Sequence, residues 1–131
     1  MVYVLGNPDL PEDSLPVRLV PALRKACPDC IFEIKDPNEE WDVPERLTII
    51  DTIVGIDSVQ MFHDLDAFER TPRVSLHDFD ALMQLRLLKK LGKLKEITVI
   101  GVPPAMEAQK ALEAVIPFLH RQAERGIMNM Q

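Results

Sequence analysis

Short β-rich apolar runs alternate along this chain with stretches whose apolar residues recur every three to four positions. Residues 2–5 (Val-Tyr-Val-Leu) form the first run and stop at Gly6-Asn7-Pro8, a strong breaker, so strand one ends there. From Ser14 to about Ala26, Leu15, Leu19, Leu23 and Ala26 keep helical spacing. Asp13 or Ser14 is available as N-cap and Pro16 is tolerated in the first turn, whereas Pro21 removes a backbone donor further in and should bend the helix. Residues 30–34 read as a second strand, and the polar stretch from Lys35 to Glu45, which holds Trp41, as a connection with room for one helical turn.

Residues 47–51 (Leu-Thr-Ile-Ile-Asp) look like a central strand covered on both faces, with Asp51 at its carboxyl end. Residues 58–62 alternate like a more exposed strand, and Val74 with Leu76 suggests a short edge strand. A second helix is expected from about Asp78 to Leu91, with Leu82, Met83, Leu85, Leu88 and Leu91 as its apolar face and Gly92 as its stop. Residues 96–100 form the last strand, ended by Gly101-Val102-Pro103-Pro104. The final helix, from about Met106 to Arg125, carries Ala108, Ala111, Leu112, Val115, Ile116 and Leu119 on one face. This alternation predicts an α/β fold, a three-layer α/β/α sandwich with a mixed, mostly parallel sheet of about five strands. Residues 1–131 read as a single domain.

Composition narrows the function classes. Apolar residues make up 47% of the chain and charged residues 27%, which suits a packed soluble core. The net charge of −6, with basic residues scattered, gives no footprint for a phosphate backbone, so nucleic acid is not an expected partner. No apolar run reaches the roughly 18 residues of a membrane span, and a cytoplasmic protein is expected. Cys27 and Cys30 stand as Cys-Pro-Asp-Cys between a helix end and a strand. A thioredoxin-type pair opens a helix instead, and a zinc site needs two further ligands, so a turn with two semi-buried thiols is the reading.

In open α/β sheets, ligands bind outside the carboxyl ends of the strands. The acidic loop after strand one (Asp9, Glu12, Asp13), Asp51 and His77 all fall on that rim. Two carboxylates and an imidazole suit a borderline divalent ion such as zinc or nickel with open coordination positions. Each residue also has a structural use: Asp13 as an N-cap, Asp51 as an acceptor for backbone donors, His77 as a loop residue bonded to its neighbours. Surface roles account for His63 and His120.

The segment from Gly6 to Ser14 resembles the Gly-Asn-x-x-x-x-Asp-Glu-Gly signature of the nickel-iron hydrogenase maturation endopeptidases. Ile49-Ile50-Asp51 looks like that family's strand ending in Asp, Ser75-Leu76-His77 like its Ser-x-His segment, and Gly101-Val102-Pro103-Pro104 like its Gly-x-x-Pro turn. The resemblance implies an endopeptidase that trims the C-terminal extension of the hydrogenase large-subunit precursor after nickel insertion. It places the metal-contacting and catalytic positions on Asp13, Asp51 and His77, with nickel presented by the substrate and no permanent cofactor. Where the family has Asp-Glu-Gly, this chain has Glu12-Asp13-Ser14, so the carboxylate is one methylene shorter and Glu12 is a substitute candidate; Pro16 stands where a Gly commonly follows.

Two other functions fit the same elements. A free-standing metal-dependent peptidase or amidohydrolase would keep a resident ion at the rim. A receiver-like signalling module would need an acidic pair directly after strand one and a lysine after the last strand, where this chain has Gly6-Asn7-Pro8 and Gly101-Val102-Pro103-Pro104. Val54, Ile56 and Phe68 are candidates either for lining a groove that takes a protein substrate or for the core.

Overall fold

The computed structural model describes residues 1–36, 39, 41–64 and 82–129. In chain order the elements are β1 (Val2–Leu5), a 3-10 turn (Pro11–Asp13), α1 (Leu15–Ala26), β2 (Phe32–Lys35), β3 (Arg46–Thr52), β4 (Gln60–Phe62), α2 (Leu82–Lys90), β5 (Glu96–Val102) and α3 (Ala108–Asn129). The strands form one sheet in the order β2-β1-β3-β5-β4. The first three neighbouring pairs are parallel, whereas β4 runs antiparallel to β5, with Met61 opposite Ile100. The sheet is thus mixed and mostly parallel, as the alternation predicts. The expected edge strand at Val74 and Leu76 lies outside the described residues.

Strand pleating sends alternate residues to opposite faces. Val2, Val4, Ile50, Ile100 and Val102 pack under α1 and α3, with Leu15, Leu19, Val20, Leu23, Ala111, Val115 and Leu119 as the helical contribution. Tyr3, Leu5, Leu47, Ile49, Ile97 and Val99 pack on the other face with Leu85, Leu94 and Trp41. Helices on both sides of the sheet give the three layers. Tyr3 meets Trp41 edge-to-face at 5.7 Å and donates its hydroxyl to the Asp42 carbonyl, while Trp41 Nε1 donates to the Asp36 carbonyl at 2.9 Å. Those bonds pin Asp36, Trp41 and Asp42 over the face, and Glu39 N donates to the Asp36 carbonyl at 3.1 Å.

Several boundaries differ from expectation for local reasons. Helix α1 runs to Ala26 with Pro21 inside it, as its expected span has it, and α3 likewise continues through Pro117. Both prolines are exposed, where water can serve the carbonyl left without its helical donor. Leu91 is 60% exposed and does not join the apolar face of α2. The helix ends in a Schellman motif: Gly92 at φ +78° and Lys93 donate to the Lys89 and Leu88 carbonyls at 3.1 and 3.0 Å, and the reversal buries Leu94 instead.

The outer edge of β2 is occupied at one point. Arg24 Nη2 on α1 donates to the Phe32 carbonyl at 3.1 Å. The Ile31 carbonyl accepts from Val2 N at 2.8 Å, so alternation turns the Phe32 carbonyl away from β1.

Candidate functional site

The rim at the carboxyl ends of the strands starts with the loop after β1. Gly6 has φ +156°, and a Cβ built there would lie 2.7 Å from the Asp13 carbonyl oxygen and 3.0 Å from Val17 Cγ2. Only glycine lets the chain leaving β1 pass so close under the returning turn. The Asn7 N–H donates to that Asp13 carbonyl at 2.9 Å, and the Asn7 side-chain oxygen accepts from the Asp9 N–H at 2.9 Å. Asp13 N donates to the Leu10 carbonyl at 2.9 Å, which closes the 3-10 turn. Behind it, Ser14 Oγ donates to the Pro11 carbonyl and accepts from Arg18 Nε, each at 3.1 Å.

This lattice fixes where the acidic side chains go. Asp9 and Glu12 are exposed, while Asp13 is half-buried. The N-cap position of α1 belongs to Ser14, whose own side chain makes no cap bond. Of the two adjacent carboxylates, Asp13 is the one drawn into the fold.

Asp51 is 5% exposed, near the end of β3. Its Oδ1 accepts from the Thr52 N–H at 2.8 Å, so the backbone-acceptor use weighed for it from sequence is met by one oxygen. Val4 is level with Ile50 across β1 and β3, so the chain leaving β1 toward Gly6 runs beside Asp51. On the other side Asp51 is level with Gly101. A Cβ at Gly101 would sit 2.3 Å from Ile53 Cδ1 and 3.2 Å from Ile56 Cδ1. The missing side chain thus makes room for Ile53, which folds back across the sheet next to the carboxylate. Gly101 does not end β5 as expected; the strand runs on to Val102, whose carbonyl accepts from Ile53 N at 3.0 Å.

The fold has counterparts among solved structures. A [NiFe] hydrogenase maturation protease HybD from Thermococcus kodakarensis superposes with a TM-score of 0.65 and 21% identity over 93% of this chain and 98% of that one. The hydrogenase maturating endopeptidase HybD from E. coli gives 0.56 and 22% over 98% and 93%, and an endopeptidase from Escherichia coli gives 0.55 and 24% over 93% and 88%. This chain shares their fold. No protein-family model matches the sequence, and no curated protein matches it.

Within that fold, Asp13 closes the 3-10 turn after β1, and Asp51 lies near the end of β3, the parallel neighbour of β1. His77, expected as the third member, lies outside the described residues, as does Phe68. Among the described residues, no group of three or more His, Cys, Asp or Glu side chains is arranged to hold a metal ion. His63 and His120 are exposed, in keeping with surface roles. Ile56 belongs to the core at 8% exposure, whereas Val54 stays 46% exposed beside Asp51's strand end. Gly6 as the residue of closest approach and Asn7 as the brace of the loop were missed as positioning residues; the signal was the Gly6-Asn7-Pro8 run, which marks a tight turn as well as a strand end.

Proposed function

We propose that this protein is a processing endopeptidase that removes the C-terminal extension of a nickel-iron hydrogenase large-subunit precursor once nickel has been inserted. The observation that carries this reading is the pair of carboxylates, Asp13 on the braced loop after β1 and Asp51 at the end of β3, on a fold shared with HybD proteins over more than nine-tenths of the chain. In this reading Asp13, Asp51 and His77 contact nickel already held by the precursor, and the protease needs no cofactor of its own. The ion identifies a mature substrate, and water attack on the scissile carbonyl is aided by the nickel as a Lewis acid or by a rim carboxylate that takes the water's proton. The half-buried Asp13 is better placed than exposed Glu12 to supply the first ligand.

The partner is the precursor, met at the acidic loop and the segment after β3, in the cytoplasm. No helix among the described residues is long and apolar enough to cross a membrane. The deciding experiment incubates the purified protein with nickel-loaded and nickel-free precursor and detects the released C-terminal peptide by mass spectrometry. Release from the loaded precursor alone, abolished by His77→Ala, is the expected result. Cleavage that ignores nickel or survives His77→Ala refutes the assignment, and stoichiometric zinc surviving dialysis favours a free-standing metallopeptidase.

A further inference from the structure

Away from the rim, two thiols share one turn. Helix α1 ends at Ala26, and Cys27 caps it by donating its N–H to the Leu23 carbonyl at 2.9 Å. Cys30 N donates to the Cys27 carbonyl at 3.1 Å, closing a four-residue turn through Pro28 and Asp29. Such a turn holds its end Cα atoms within about 7 Å, against the ~4.4–6.8 Å that a disulfide spans. Cys27 is 4% exposed and Cys30 is half-buried.

We propose that Cys27 and Cys30 form a redox-active dithiol that closes to an intramolecular disulfide by exchange with a small-molecule disulfide. The division of labour follows from access. Cys30, the accessible sulfur, attacks as thiolate; the small disulfide's S–S bond breaks, one thiolate leaves, and a mixed disulfide forms on Cys30. Cys27 then gives up its proton to solvent and attacks the Cys30 sulfur, expelling the second small thiolate. The protein loses two electrons and two protons, and the small disulfide is reduced to two thiols.

The place of the pair in the fold sets the kind of disulfide. A dithiol opening a helix has its thiolate stabilised by the positive dipole end, which makes its disulfide a strong oxidant. Here Cys27 sits at the opposite end, where burial and the neighbouring Cys30 thiol raise its pKa above the ordinary value. A thiol that holds its proton tightly leaves poorly, so the closed form resists reduction. Closure ties the end of α1 to the lead-in of β2, a link already marked by the Arg24 to Phe32 bond.

The test treats the full-length protein, under native conditions, with oxidised glutathione, followed by intact mass and free-thiol titration. The expected result is loss of two thiols and two hydrogen masses per chain without a retained adduct, reversed by dithiothreitol. Cys27→Ser stops at one glutathione on Cys30, found by peptide mapping, and Cys30→Ser reacts about tenfold more slowly because its remaining thiol is buried. A stable glutathione adduct on Cys30 in the unaltered protein, disulfide-linked dimers, or two thiols that stay free would each overturn the proposal. These readouts do not involve peptide hydrolysis, so the proposed function stands or falls separately.

Discussion

Replacing Gly6 by alanine tests whether the loop after β1 is held by close backbone approach. Two costs arise together. A residue with a Cβ at φ +156° occupies a region used almost only by glycine, at about 1–3 kcal/mol. The new methyl would also lie 2.7 Å from the Asp13 carbonyl oxygen, a backbone atom that must retreat by several tenths of an ångström. That retreat stretches the 2.9 Å bond from Asn7 N, worth about 1 kcal/mol. Gly6→Ala should therefore lose about 2–4 kcal/mol. Gly92→Ala is the internal control: its φ is +78°, nothing lies within 4 Å of its Cβ position, and only the backbone cost of about 1–2 kcal/mol remains. Trp41, the sole tryptophan and 6% exposed, reports urea unfolding of both variants by fluorescence. A Gly6→Ala loss no larger than that of Gly92→Ala, at unchanged denaturant slope, would refute the close-approach argument. Because the displaced atom belongs to Asp13, cleavage of the nickel-loaded precursor should fall further than stability alone explains.

Other perturbations address the core, the rim and pH. Leu85→Ala removes a fully buried side chain from the face covered by α2 and should cost about 2–5 kcal/mol in the same urea assay. Asp51→Asn keeps an oxygen for the Thr52 N–H but removes the negative charge, so precursor cleavage should drop on the order of 100-fold; a stability loss that accounts for the whole drop would make Asp51 structural. Among the described residues, Cys27 and Tyr3 bind their protons more tightly in the folded protein mainly through burial, and Lys35 mainly through its hydrogen bond to Glu33. The stability they contribute is complete below their ordinary values of 9.0, 10.0 and 10.5 and is lost as pH rises through the higher folded values. Unfolding free energy should therefore decline from about pH 9 upward, and Cys27→Ala should flatten the first part of the decline.

Much of the fold was legible because β1, β3 and β5 are largely apolar runs and α1 and α3 keep an apolar stripe. Residues 2–5 coincide with β1, and Leu15, Leu19 and Leu23 do face the sheet. What periodicity could not show are effects set by contacts distant in sequence or by a single backbone angle. Gly101 reads as a stop, yet it stays in the ladder because Ile53 occupies the space its side chain would need. Leu91 fits the helical stripe, yet the left-handed turn at Gly92 leaves it outside and brings in Leu94. Asp51 could be placed from sequence because a strand end is a position along the chain. The inward set of Asp13 relative to Glu12 could not, since it depends on the Gly6 backbone and the bonds of Asn7.

The guanidinium of Arg24 on the Phe32 carbonyl also bears on behaviour at high concentration. Strand β2 borders the sheet and carries Ile34 half in solvent, with Ile31 just ahead of it, a combination that invites strand-to-strand self-association. An incoming extended peptide would find a cation already seated on an acceptor it must capture. Arg24→Ala should thus leave the monomer folded but lower the concentration at which it begins to aggregate, a colloidal defect with no counterpart in catalysis.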